Sequence, residues 1–217
     1  MKKVLSIALC AALVLAMAGC GGAGTTSSSQ SPDPVPSQEP SPSSATDRPE
    51  GVGVHHVDIE IADYGTIKLE LDGDTAPITV ENFLTLAGDG FYVGLTFHRI
   101  MAGFMMQGGD PQGDGFGGSE NTIQGEFSAN GVENDISHVR GTISMARNGA
   151  DMNSASSQFF IVHEDSTFLD GQYAAFGHVT EGMEVVDAIC QDAQPTDDNG
   201  TIPAEAQPVI TSVTVVD

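Results

Sequence analysis

The sequence predicts a mainly β domain in which about eight short antiparallel strands close into a barrel, with two α-helices at its open ends. Strand-period alternation recurs along the C-terminal three quarters of the 217-residue chain. Only two stretches there show helical spacing. Closure suits so many short strands because it leaves no unpaired edge to aggregate. Alternation alone does not separate a barrel from a sandwich. The length fits one domain plus appendages, and nothing repeats at a fixed period.

Each element follows from local pattern. Val57, Ile59 and Ile61 alternate, and after Asp63-Tyr64-Gly65 so do Ile67, Leu69 and Leu71, which reads as a hairpin with one buried face. Pro77 suits a first helical turn, Val80, Phe83, Leu84 and Ala87 share a face, and Gly88 can end that helix. Strands are expected at Leu95–Ile100, Phe104–Gln107, Gly141–Ala146, Gln158–Val162 and Ala174–Thr180. A second helix is expected near Met183–Cys190, with Met183, Val186 and Ile189 on one face, and a last strand alternates through Val209, Thr211, Val213 and Val215.

The N-terminus reads as an address. Lys2 and Lys3 precede an apolar run from Val4 to Ala18. As a helix that run rises only about 22 Å, short of a hydrocarbon core of about 30 Å, so it fits a secretory signal and not a membrane span. Met17-Ala18-Gly19-Cys20 resembles the bacterial lipoprotein lipobox, with Met17 where Leu is more usual. The resemblance implies removal of residues 1–19, a diacylglyceryl group on Cys20, and anchoring to a bacterial membrane with the domain outside the cytoplasm. Residues 20–50 then form a lipidated tether rich in Ser, Pro and Gly, too poor in apolar side chains to offset the entropy of ordering. The folded domain spans 51–217. It retains one cysteine, Cys190, expected to be a core residue, so no disulfide can form within it.

Thirty Asp and Glu against seven Lys and Arg give a formal charge of -23, which repels phosphate backbones, so no nucleic-acid partner is expected. Beyond residue 50 the only cations are Lys68, Arg99, Arg140 and Arg147. Arg140 and Arg147 can pair with surplus carboxylates, and Arg147 can equally steer acidic peptides. The histidines show no metal-ligand spacing, so neither a metal nor another cofactor is expected.

The chemistry concentrates in Phe97-His98-Arg99-Ile100, Gly103-Phe104-Met105-Met106-Gln107-Gly108-Gly109-Asp110, Ile143-Ser144-Met145-Ala146-Arg147, Ser157-Gln158-Phe159-Phe160-Ile161 and Phe168-Leu169-Asp170-Gly171-Gln172-Tyr173. If these segments converge, they supply a fixed cation, two glutamine amides and an apolar floor, without a nucleophile or an acid/base pair. That inventory suits rotation about a bond better than cleavage.

These blocks, in this order, resemble the cyclophilin family of peptidyl-prolyl cis/trans isomerases over roughly residues 55–217. The resemblance implies the eight-stranded barrel and assigns roles. Arg99 matches the catalytic arginine. Phe104, Met105, Phe160 and Leu169 match the pocket for the substrate proline, although side chains of these types are commonly core, and burial of all four would favour a core role. Gln107 and Gln158 match glutamines near the substrate backbone and the arginine. Ala146 and Arg147 match the edge along which a peptide lies, with Arg147 where the family often has Asn. Gly115 matches a glycine of the neighbouring pocket. Phe168 stands where many eukaryotic members have Trp, and Tyr173 where they have His, so tight cyclosporin binding loses its usual support. The expected partners are proline-containing peptides and unfolded or exported chains, and the expected state is a monomer. Two other classes compete: a peptide-binding holdase without catalysis, and an anchored solute-binding or adhesive lipoprotein, which would need a cleft between domains or surface repeats.

Overall fold

The computed structural model describes residues 53–217. The expected signal sequence, Cys20 and the whole of the expected tether lie outside these residues. Among the described residues no helix is long and apolar enough to cross a membrane.

Eight strands form one antiparallel sheet: β1 (Val54–Ile61), β2 (Gly65–Asp72), β3 (Thr96–Met101), β4 (Met105–Asp110), β5 (Thr142–Met145), β6 (Phe159–Val162), β7 (Ala175–Glu181) and β8 (Ile210–Val215). Their order is β3-β4-β6-β5-β7-β2-β1-β8. The predicted hairpin is β1–β2, with Val57 opposite Leu69 and Ile59 opposite Ile67. All six of its alternating aliphatics are buried. Two helices, α1 (Pro77–Gly88) and α2 (Met183–Asp192), pack against the sheet, α1 on β2 and β8 and α2 on β2. Helix α1 buries Val80, Phe83 and Ala87, and the Phe83 ring meets those of Tyr92, Phe159 and Phe176 at 5.0–5.6 Å. Helix α2 buries Val185, Val186, Ile189 and Cys190, while Met183 is only partly buried. Burial pushes the Cys190 thiol up to about 12, as befits a core residue.

The sheet is a curled half-barrel and not the closed barrel expected. Its edge strands β3 and β8 share no ladder; Thr96 and Val209 form one bridge, flanked by Phe97 N–H to Pro208 O at 3.0 Å and Ile210 N–H to Leu95 O at 2.8 Å. Two features prevent closure. Pro208 has no N–H to extend a ladder, and β3 loses register with β4 around Phe97. The outer edge of β3 is instead covered by the segment before β8: Ile100 N–H donates to Gly200 O at 2.8 Å and Ile202 N–H to His98 O at 2.9 Å. The edge is thus protected without closure.

Strands β4, β5 and β6 are buried on both faces, and their period-2 alternation divides them between two apolar clusters. Met106, Phe159 and Ile161 join the main core. Met105, Phe160 and Val162 point to the opposite face, where they form a second cluster with Leu169. Gly109 lets β4 lie this close to β6. Its φ is 81°, and a Cβ there would sit 2.6 Å from the Ser157 carbonyl oxygen.

Candidate active site

The site lies on the second, outward face of the sheet. Strand register places Arg99 (β3) opposite Gln107 (β4), Gln107 opposite Phe160 (β6), and Phe160 opposite Ser144 (β5). These four residues form a row across four strands, so pairing alone brings cation, amide and ring together.

Side-chain bonds fix the row. Arg99 Nη1 donates to Gln107 Oε1 at 3.1 Å and its Nε to the Asn199 carbonyl at 2.7 Å. Nη2 lies 3.2 Å from Met101 Sδ, and the guanidinium carbon is 5.9 Å from the centre of the Phe104 ring. Burial lowers the Arg99 pKa, opposed by Tyr173 and Asp197; a guanidinium so placed remains charged at neutral pH. Gln107 passes the constraint on: its Nε2 donates to Gln158 Oε1 at 2.8 Å, and Gln158 Nε2 donates to the carbonyls of Gly117 (2.7 Å) and Gly115 (3.2 Å). The amides are therefore oriented end to end, from the loop after β4 to the cation.

Beside this chain is a hollow of about 130 Å³ lined by Arg99, Phe104, Met105, Gln107, Ala146, Arg147, Phe160, Leu169 and Tyr173. Next to it a larger one, about 340 Å³, is lined by Gly115, Phe116, Gly117, Asn148, Ser154, Ser156 and Gln158, and shares Gln107, Ala146 and Arg147. Eleven of the twelve residues expected at the site thus line one hollow or the other. The exception is Phe168, which is 66% exposed and stacks at the rim, 5.7 Å from the Phe104 ring. Met105, Phe160 and Leu169 are buried but Phe104 is not, and all four face the hollow in a cluster separate from the main core. Their burial is that of a pocket floor.

The floor is braced from below. His138, buried, stacks on Phe160 with ring centres 5.9 Å apart and planes at 18°. Its Nδ1 lies 2.9 Å from Asp170 Oδ1 and its Nε2 3.0 Å from Ser144 Oγ. Burial pushes the Asp170 carboxyl up, but bonds from His138 and Ser137 pull it lower still, so it is ionised and can only accept. The proton therefore sits on Nδ1 and Nε2 accepts from Ser144. Asp170 directly follows the turn Thr167–Leu169 that supplies the Leu169 wall. Neither this brace nor the Asn199 carbonyl is evident in the sequence. His98, next to Arg99 in β3, is buried; among the described residues neither ring nitrogen has a hydrogen-bond partner, and burial lowers its pKa.

The profile of the family described as cyclophilin type peptidyl-prolyl cis-trans isomerase/CLD matches residues 56–215. The chain belongs to this family. It is accordingly an isomerase of X-Pro bonds. Among its relatives are the peptidyl-prolyl cis-trans isomerase of Helicobacter pylori strain J99, 47% identical over 129 residues (58% of this chain, 76% of the relative), and peptidyl-prolyl cis-trans isomerase B of Bacillus subtilis, 47% identical over 124 residues (57% and 82%). A Cryptosporidium parvum cyclophilin type isomerase has a similar solved structure, with TM-score 0.67, 30% identity, and coverage of 76% of this chain and 98% of that one. A second structure of that protein, in the presence of the dipeptide Ala-Pro, gives TM-score 0.66 at 29% identity over 75% and 99% of the two chains.

Proposed function

We propose that Arg99 accelerates rotation about X-Pro bonds in exported chains, working over the hollow that takes the proline ring, and that Cys20 anchors the domain to a bacterial membrane outside the cytoplasm. The carrying observation is one charged fork held by Gln107 and Asn199 at the lip of an apolar hollow.

An X-Pro amide rotates slowly because twisting breaks resonance, at a barrier of about 18–20 kcal/mol. The twisted state has less charge separation across O–C–N than the planar one, so transfer into an apolar hollow favours it. With resonance lost, the proline nitrogen regains a lone pair. Arg99 then donates an N–H to it. That contact exists mainly at the transition state, so it raises the rate and does not merely bind substrate. Phe104, Met105, Phe160 and Leu169 grip the ring, while Gln107, Gln158, Ala146 and Arg147 hold the preceding chain, so the two sides of the bond are held apart. An acceleration of about 10⁵ needs about 7 kcal/mol, and one charged hydrogen bond nets about 1.5–3 kcal/mol. Desolvation and the two-sided grip supply the remainder.

Support for a peptide ligand comes from the relative studied with Ala-Pro. The test is protease-coupled isomerisation of an Ala-Pro peptide by the chain. Strong acceleration that Arg99→Ala largely abolishes is expected. Peptide binding without acceleration would instead favour a holdase.

A further inference from the structure

In so acidic a chain, with 30 Asp and Glu, a cation without a carboxylate partner is unusual. Among the described residues, the two cations away from the site are paired: Lys68 Nζ to Glu181 and Arg140 Nη2 to Asp187, each at 2.8 Å. The two that line it, Arg99 and Arg147, have no carboxylate within ion-pair distance among the described residues. Arg99 is engaged by Gln107 and Asn199. Arg147 was open to pairing with a carboxylate or to meeting an acidic peptide, and among the described residues no carboxylate pairs with it.

Arg147 is also held as a binding group is held. Its guanidinium carbon lies 4.8 Å from the centre of the Tyr173 ring and 5.1 Å from that of Phe127. Nε donates to the Gln172 carbonyl at 2.9 Å and Nη1 to that of Asn148 at 3.0 Å. A guanidinium has five N–H donors, so three remain without an acceptor among the described residues. The rings and carbonyls fix the plane without neutralising it, which lowers the entropy cost of a planar contact. Arg147 lines both hollows, at their junction.

We infer that Arg147 is a specificity-determining residue that selects peptides carrying an acidic side chain within two residues of the proline. The ligand is that carboxylate, taken by the free edge of the fork. This deepens the isomerase reading above and rests on it. The domain's long-range field acts the opposite way and favours cationic peptides. The Debye length is only about 8 Å at 0.15 M salt, so the local contact is best read at that ionic strength or above.

The experiment compares peptides with Glu or Lys at each of the two positions before and the two after proline, measuring both kcat/KM and binding by titration. Wild type, Arg147→Gln and Arg147→Lys are tested, with Lys68→Gln and Arg140→Gln as controls for net charge. At one of the four positions the Glu/Lys ratio should fall about fivefold in Arg147→Gln, the scale of a partly exposed ion pair. Arg147→Lys should be intermediate, and the two controls should match wild type. An unchanged ratio at all four positions in Arg147→Gln, or an equal fall in the controls, would overturn the inference. Arg147-dependent selectivity in binding without any turnover would uphold it and reject the catalytic role of Arg99 instead.

Discussion

Replacing Arg99 by lysine keeps the charge and removes the fork. In the structure the guanidinium is held at Nε by the Asn199 carbonyl (2.7 Å) and at Nη1 by Gln107 (3.1 Å), and it lines the hollow with only methionine sulfurs as further acceptors. A single ammonium on a more flexible stem cannot satisfy both acceptors and still present a directed donor. On the proposed mechanism the variant should lose a charge-assisted hydrogen bond to the proline nitrogen, about 1.5–3 kcal/mol, or one to two decades of rate at about 1.4 kcal/mol per decade. A contact proposed to form mainly at the transition state should show its loss in kcat, with KM little changed. Protease-coupled kinetics over a range of substrate concentration reads both constants. A kcat within about threefold of wild type would refute the role given to the fork.

Gln107→Leu should lower kcat by less than Arg99→Lys, since Asn199 still holds the guanidinium, and kinetics on the two variants would rank them. Phe160→Ala removes a buried ring stacked on His138 and edge-on to Tyr173; it should cost about 3–5 kcal/mol of stability by denaturant unfolding and raise KM. Gly109→Ala places a Cβ against Ser157 O at a φ of 81° and should lower the thermal midpoint clearly, whereas Gly149→Ala, where a Cβ meets nothing within 4 Å, should change it little. Burial lowers the pKa of His98 and His138 below the ordinary 6.5. The unfolded chain then takes up protons first, so the stability these residues contribute is complete above about pH 6.5 and is lost as pH falls through their lowered values. Denaturation midpoints measured from pH 8 to pH 5 should fall on the acid side, and Phe at position 138 should flatten that fall.

The fold was legible wherever one face of a strand is buried. Val57, Ile59, Ile61, Ile67, Leu69 and Leu71 announce β1 and β2 because only alternation can bury them together. Closure was not legible, because it turns on how Pro208 and Gly200 meet β3 across about a hundred residues of chain. Among site residues, Arg99, Gln107 and Phe160 stood out as motif members, and strand register then brought them side by side. Asn199 was hidden because it contributes a backbone carbonyl, which any residue supplies. The His138–Asp170 brace was hidden because its members lie 32 residues apart and touch only in the fold. Phe168 was expected with the substrate contacts, yet its place beside Leu169 on a short turn leaves it at the rim.

Transition-state assistance by Arg99 is tested most directly by exchange NMR on one X-Pro peptide, which reports binding and cis/trans interconversion in the same sample. Wild type should produce exchange cross-peaks between the two isomers at substoichiometric enzyme. Arg99→Ala should still shift the peptide resonances while the cross-peaks fade. Equal exchange in both proteins, or peptide binding to wild type with no exchange, would contradict it.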